Sequence, residues 1–292
     1  MQDFSPPYGV IENISPLIRR ITANNPAPYT FKGTGTYIIG HKNVAVIDPG
    51  PDMADHIEAI ISSLKGEKIS HILVTHNHTD HSPGARPLAE RCGAKIYGFD
   101  VSGQQYSMSK SAEGLDKKFK PDILIKDGDI LKGKNWTLEA IHTPGHLSNH
   151  LCFALLEEKA LFSGDHVMGW STTIISPPDG NMTEYLISLE KLLMRDDNIY
   201  YPTHGWPIDD PKKFVKQVYA HRLRRDNEIC RFLEQGDKSM DQIVRMIYPA
   251  IDKSLYLAAS RTIFAHLIRL VELGKVSSDS PPTENSIYSL KK

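Results

Sequence analysis

The chain has 292 residues, with 34 Lys and Arg against 35 Asp and Glu, 13 His and three Cys. That length suggests one large domain, or a large one with a small one. A hydrophobic content of 40% with 24% charged residues excludes disorder by composition, and a net charge of −1 argues against a histone-like basic binder or an acidic tail protein.

From Val10 to Tyr201 the chain repeats one pattern: a short β-branched or aromatic run, a Gly, Pro, Asp or Asn punctuation, then in places an amphipathic stretch. Strands are predicted over Leu17–Thr22, Thr36–Ile39, Val44–Ile47, His71–Thr75, Lys95–Gly98, Trp136–His142, Leu151–Leu156, Ala160–Phe162 and Ile199–Tyr201. Helices are predicted over Ala54–Lys65, Gly84–Cys92 and Thr183–Met194, the first from the spacing of Ile57, Ile60, Ile61 and Leu64. The order implies sheets inside and helices outside. Near Gly205 the character changes. Asp209-Asp210-Pro211 is a helix start, a long helix should run to about Gln235, and Ser239–Tyr248 and Leu255–Leu273 follow. Three helices with a short hairpin describe a winged-helix-like module over 209–280, after a catalytic unit over 1–208. The Ser-, Pro- and Thr-rich end, Ser277–Lys292, is expected to be mobile, with 281–292 as a flexible tail.

Cys92, Cys152 and Cys230 have no C-x-x-C spacing, so a disulfide framework is not expected and a reducing compartment is the default. They read as small buried hydrophobes. The start, MQDFSPPYGV, has no basic and apolar leader, and no run of about 18 apolar residues occurs. A soluble, cytoplasmic protein without membrane contact is expected.

The chemistry concentrates in His76-Asn77-His78-Thr79-Asp80-His81, directly after the apolar run Ile72-Leu73-Val74. Alternate residues of an extended segment point the same way, so His76 and His78 can reach one metal while the following turn swings Asp80 and His81 to a second. Imidazole and carboxylate without Cys are ligands of Zn, Fe or Mn sites and not of a structural thiolate zinc. His146, Asp165 and His204 each stand just beyond a predicted strand, after Thr143-Pro144-Gly145, Ser163-Gly164 and Pro202-Thr203. His76, His78 and His146 then serve one ion, Asp80, His81 and His204 the other, and Asp165 bridges them, leaving a position for water.

This set, His-x-His-x-Asp-His with later Thr-Pro-Gly-His, Ser-Gly-Asp and x-His-Gly, resembles the metallo-β-lactamase superfamily over about residues 10–208. The resemblance implies a mixed α/β chain folded as a four-layer αβ/βα sandwich, with a dinuclear site of the seven ligands at one edge. It also implies that Asp48, after Val44–Ile47, supports the site by orienting metal-bound imidazoles. Asn25-Pro26-Ala27-Pro28 and Phe31–Tyr37 further resemble the superfamily hydrolases with a C-terminal winged helix, a group whose animal members are endoribonucleases on single-stranded RNA. Gly35 and Thr203 depart from that group, where many members have Asn and Gly.

Asp165–Pro178 is expected to line the pocket. His166 reads as a core histidine or a support behind the metals, with proton donation to the leaving group as the alternative. Ser171, Thr172 and Thr173 are candidates for binding a phosphate or carboxylate. His56, His71, His142, His150, His221 and His266 are assigned to surface or core. His221-Arg222-Leu223-Arg224-Arg225 reads as a solvated helix face, or alternatively as a contact for RNA phosphates or a second subunit. The expected function is metal-dependent hydrolysis by a bridging hydroxide, oriented by Asp80, with two divalent ions, zinc first and iron or manganese as alternatives. Single-stranded RNA is the first substrate class, a small thioester or ester of the glyoxalase II type the alternative, and a β-lactam less favoured. A scaffold that has lost catalysis is the non-enzyme alternative.

Overall fold

The computed structural model describes residues 4–101 and 114–291. The first sheet holds β1 (Ile11–Asn13), β2 (Ile18–Thr22), β3 (Gly35–Ile39) and β4 (Asn43–Ile47) as an antiparallel run. Helix α1 (Ala54–Ser63) then leads to β5 (Lys68–Leu73), α2 (Ala85–Cys92) to β6 (Lys95–Gly98), and β7 (Ile123–Leu124) forms the edge. β4 to β7 pair in parallel, the arrangement that helical crossovers produce. The second sheet comprises β8 (Ile130–Lys132), β9 (Thr137–His142), β10 (Leu151–Leu155) and β11 (Ala160–Gly164), all antiparallel. After α3 (Met182–Leu193), β12 (Ile199–Pro202) joins parallel to β11.

The two sheets close on Tyr37, Trp136, Phe153 and Phe162, while α1 and α2 cover the outer face of the first sheet through Ile57, Ile60 and Leu88. On the other side Tyr185 and Leu189 of α3, with Val215 of α4 (Pro211–Leu233), cover the second sheet. The layers are therefore helix, sheet, sheet, helix, as expected. The strands buried on both faces read as continuous apolar runs (Val44–Ile47, Leu151–Leu155), which is why they were legible. The strands of these two sheets without a predicted counterpart, β1, β7 and β8, are two or three residues long and lie at sheet edges.

α4 begins where Asp210 caps it, its side chain accepting from the Lys213 N–H, with Pro211 in the first turn. Its first half packs on the sandwich and its last turns, through Ile229 and Leu233, enter a separate core. That core also contains β13 (Lys238–Ser239), α5 (Met240–Ile247), α6 (Lys253–Glu272), β14 (Val276–Ser278) and β15 (Ile287–Leu290). Ser239 and Gln242 form a reciprocal capping box at the start of α5. α4 and α6 are joined by Asp226, whose carboxylate accepts from His266 Nδ1 at 2.7 Å and from the Arg269 guanidinium.

The expectation of a flexible tail over 281–292 is corrected. β15 is the central strand of a three-stranded sheet, antiparallel to β13 and β14, and Tyr288 is fully buried with its hydroxyl donating to the Thr283 carbonyl at 2.7 Å. The Ser- and Pro-rich composition belongs to the turn between β14 and β15; Lys292 lies outside the described residues. No helix among the described residues is long and apolar enough to cross a membrane. Tyr288→Ala should cost about 3 kcal/mol, read as a lower midpoint in urea unfolding; an unchanged midpoint would mean that the hairpin is not part of the cooperative unit.

Candidate metal centre

β4 and β5 run parallel, so their C-terminal ends share an edge. β9 is antiparallel to β10 and β10 to β11, which makes β9, β11 and the parallel β12 run in one direction. The residues following all five strands therefore meet along one rim of the sandwich, where loops on a rigid frame can converge. Asp48 follows β4, His76 to His81 follow β5, His146 follows β9, Asp165 follows β11, and His204 follows β12.

The rim assembles two groups of ligand atoms: His76, His78, His146 and Asp165 in one, and Asp80, His81, Asp165 and His204 in the other, the atoms of each within 4.8 Å of one another. Asp165 belongs to both. Its Oδ1 lies 3.5 Å from His81 Nε2 and 3.5 Å from His204 Nε2, and its Oδ2 lies 3.9 Å from His146 Nε2. Asp80 Oδ2 is 3.1 Å from His204 Nε2 and 3.4 Å from His81 Nε2.

Hydrogen bonds behind the rings fix which nitrogen faces inward. His81 Nδ1 donates to Asp48 Oδ2 at 2.8 Å, His146 Nδ1 to the Ile174 carbonyl at 2.7 Å, and His204 Nδ1 to the Gly33 carbonyl at 3.1 Å. His76 Nδ1 donates to Thr75 Oγ1 at 2.9 Å, and that hydroxyl passes its own proton to Asp48 Oδ2 at 2.8 Å. Each of these bonds turns the Nε2 of its ring toward the group.

Charge completes the fit. Burial holds His76 well below the usual histidine range and carries His78 down to about 3, so these imidazoles are neutral acceptors. His76 Nε2 lies 2.8 Å and His146 Nε2 3.1 Å from His78 Nδ1, so three ring nitrogens converge at a spacing that ligands of one shared cation would have. Burial pushes Asp80 and Asp165 up, but the surrounding histidines outweigh it and hold both below the usual carboxylate range. His81 Nε2 and Asp165 Oδ1 are buried without a hydrogen-bond partner. These residues are positioned to bind metal ions, and the donor set suits Zn, Fe or Mn.

Two glycines hold the ligand loops close. A Cβ on Gly145 (φ 132°) would fall 2.3 Å from the Tyr185 Cα, and one on Gly164 (φ 52°) 2.6 Å from His150 Nε2, so α3 and His150 press directly on the turns bearing His146 and Asp165. His150, assigned to the core on sequence, is indeed fully buried, but it also supports the site. Its Nε2 accepts from the Asp165 N–H at 3.2 Å while its Nδ1 donates to Thr143 Oγ1 at 2.9 Å.

The two departures from the family pattern touch each other. The Gly35 N–H donates to the Thr203 carbonyl at 2.9 Å, and a Cβ on Gly35 would lie 3.2 Å from that oxygen. Thr203 Oγ1 donates to Asp48 Oδ2 at 3.1 Å, so it contributes to the metal-site support.

A cavity of about 980 Å³ opens over both ligand groups. Ser171, Thr172 and Thr173 line it, but the Thr173 hydroxyl is committed to the Asp165 carbonyl at 2.6 Å and the His166 carbonyl at 3.0 Å. His166 is fully buried, its ring 4.7 Å from that of Tyr185; among the described residues neither nitrogen has a hydrogen-bond partner, and His166 does not line the cavity. Direct proton donation to a bound leaving group is therefore not what its placement provides. The solvated reading of His221–Arg225 also needs correction: Arg224 is exposed, but Arg222 is 2% exposed and lines the cavity, and Arg225 lies over the Tyr248 ring. The supporting carbonyls of Gly33 and Ile174 have no sequence signal, because every residue carries one.

The geometry and the match of residues 30–204 to the metallo-beta-lactamase superfamily model place this chain in that superfamily. Residues 239–281 match the beta-lactamase associated winged helix domain, and the chain is a hydrolase of this superfamily. It is 30% identical over 274 residues to the Caenorhabditis elegans beta-lactamase-like protein 2 homolog, covering 92% of this chain and 88% of that one. It is 33% identical over 236 residues to an atrochrysone carboxyl ACP thioesterase of Cryptosporiopsis sp. (strain 8999), covering 79% and 67%. A beta-lactamase domain protein from Burkholderia ambifaria shares the fold with a TM-score of 0.83 at 20% identity, over 99% of this chain and 96% of that one.

Asp48→Asn should lower metal affinity about 10- to 100-fold, measured by competition with a chromogenic chelator. Unchanged affinity would restrict Asp48 to holding the loops together.

Proposed function

We propose that this chain hydrolyses a small-molecule thioester or ester with two divalent cations, zinc first and iron or manganese as alternatives. His76, His78, His146 and Asp165 would hold one, and Asp80, His81, His204 and the shared Asp165 the other. The observation that carries the substrate class is the cavity wall. Beside the ligand groups stand Met168 and Trp170, and the module after α4 contributes Ile251, Leu255, Leu257 and Ala258. Such a surface suits an acyl group and excludes bulk water from it. The thioesterase name of the Cryptosporiopsis relative supports the same class.

Bound cations would supply Lewis acidity, activating water and polarising a carbonyl. The chain's own residues do the rest. The Asp80 side chain is 24% exposed at the cavity floor, with Oδ2 beside His204, where it can accept a proton from the attacking water and orient it. Asp48, Thr75 and Thr203 hold the imidazole loops, and His150 and Thr173 fix the Asp165 backbone. We place 1–208 as the catalytic unit and the following helices as the unit that closes the pocket.

A second reading, cleavage of single-stranded RNA, is favoured by one feature: Lys212, Lys213, Lys216 and Arg224 border a surface groove of about 500 Å³ on α4. Salt sensitivity separates it from the first, since phosphate contacts weaken steeply with ionic strength.

Acyl-N-acetylcysteamine thioesters, a p-nitrophenyl ester, labelled single-stranded RNA and a chromogenic β-lactam should be assayed in parallel. Thioester turnover is expected, lost on chelation and restored by zinc. Asp80→Ala should lower kcat roughly 10²- to 10⁴-fold with the circular dichroism spectrum retained. Salt-sensitive RNA cleavage without thioester turnover would overturn the proposal.

A further inference from the structure

Arg222 is a buried cation that the metal centre does not use. One terminal nitrogen donates to the Thr173 carbonyl, and the guanidinium carbon lies 5.4 Å from the centre of the Tyr185 ring. Its Nε is buried with no hydrogen-bond partner among the described residues. Among the described residues no carboxylate forms an ion pair with it. Asp226, four residues on, is taken by His266 and Arg269, and Asp179 in the cavity accepts from the Ser148 N–H and hydroxyl at 2.9 and 2.7 Å. A buried charge without a counter-charge is costly, and one carbonyl with one ring face satisfies only part of a five-donor fork. The same side chain faces the cavity that holds His146 and Asp165.

We infer that Arg222 is an anion-recognition residue, which selects acyl substrates carrying a carboxylate away from the scissile carbonyl. This rests on the thioester or ester reading. Arg222 is tied to the metal centre through one residue: Thr173 gives its carbonyl to the guanidinium and its hydroxyl to the Asp165 carbonyl. The distance from cation to ligand groups is thus fixed, as a ruler for chain length requires. Leu255 and Ala258, lining the same cavity, suit the methylenes of such a chain. With 2% of its surface exposed, Arg222 meets the buried end of a substrate and not a phosphate at the mouth. The guanidinium fork matches a carboxylate in two parallel bonds.

The test uses the zinc-loaded full chain. Succinate, glutarate, adipate, inorganic phosphate and butyrate are titrated by calorimetry, butyrate reporting what a single carboxylate gains at the metals. At least one dicarboxylate should bind about tenfold tighter than butyrate. The advantage should fall to about one in Arg222→Met and be intermediate in Arg222→Lys, which keeps the charge and loses the fork. The ratio of kcat/KM for the matching ω-carboxyacyl thioester over its methyl-ended analogue should fall in parallel, mainly through KM. No dicarboxylate advantage in the wild-type protein, which needs no variant to fold, would overturn the inference, as would an advantage that survives Arg222→Met. Arg222-dependent binding of phosphate without a dicarboxylate advantage would overturn the carboxylate assignment. Absence of turnover on every thioester and ester would refute the thioester or ester reading, while the binding contrast decides Arg222 separately.

Discussion

The Asp48 carboxylate is the constraint on which the site depends. It stands at the end of β4 and accepts from the Thr75 N–H, the Thr75 hydroxyl, the His81 ring and the Thr203 hydroxyl. Those donors belong to the loop after β5 in one sheet and the loop after β12 in the other. A single buried anion therefore pins both sheets at the rim where the ligands converge. Its environment explains why an acid is used there: four donors satisfy the charge in a place where an unpaired carboxylate would be costly. The same bonds set the ring orientations of His81 and, through Thr75, of His76.

The sandwich gives that anion something rigid to act on. Phe153 and Phe162 close the space between the sheets, and close packing holds the turns in place, α3 against Gly145 and the His150 ring against Gly164. Burial then determines the electrostatics. It keeps His76 and His78 neutral, while His81 and His204 are drawn above the usual range by the carboxylates around them despite their burial. Neutral lone pairs on one side and anions on the other make a cavity floor that favours cations. The cavity above is finished by another part of the chain, because α4 belongs to two cores and carries the C-terminal module, tied to it by the Asp226, His266 and Arg269 cluster, against the site.

Residues 76–81 disclosed a metal site by themselves because six consecutive residues hold three imidazoles and a carboxylate with no packing role that would require them. Strand order was legible where strands are apolar on both faces, and the long helices where Pro211 and Gly274 punctuate them. The flexible-tail expectation fails because Ser, Pro and Thr describe the turn of a hairpin as well as they describe disorder, and β15 is held between its hairpin partner β14 and β13, nearly 50 residues earlier. His150 and Thr203 were visible but uninformative, since their value lies in what faces them across the fold.

Arg222 shows the same division. Sequence alone determined that a charged cluster sits on a long helix, that histidines and aspartates of metal-ligand type follow apolar strands, and that a helical module comes after them; these are local facts, fixed by side-chain chemistry and periodicity. Only the tertiary structure decided which arginine of that cluster turns inward, which donors hold the Asp48 carboxylate, and that the module walls the cavity. Those outcomes depend on contacts between segments far apart in the chain, and local periodicity carries no information about what packs against it.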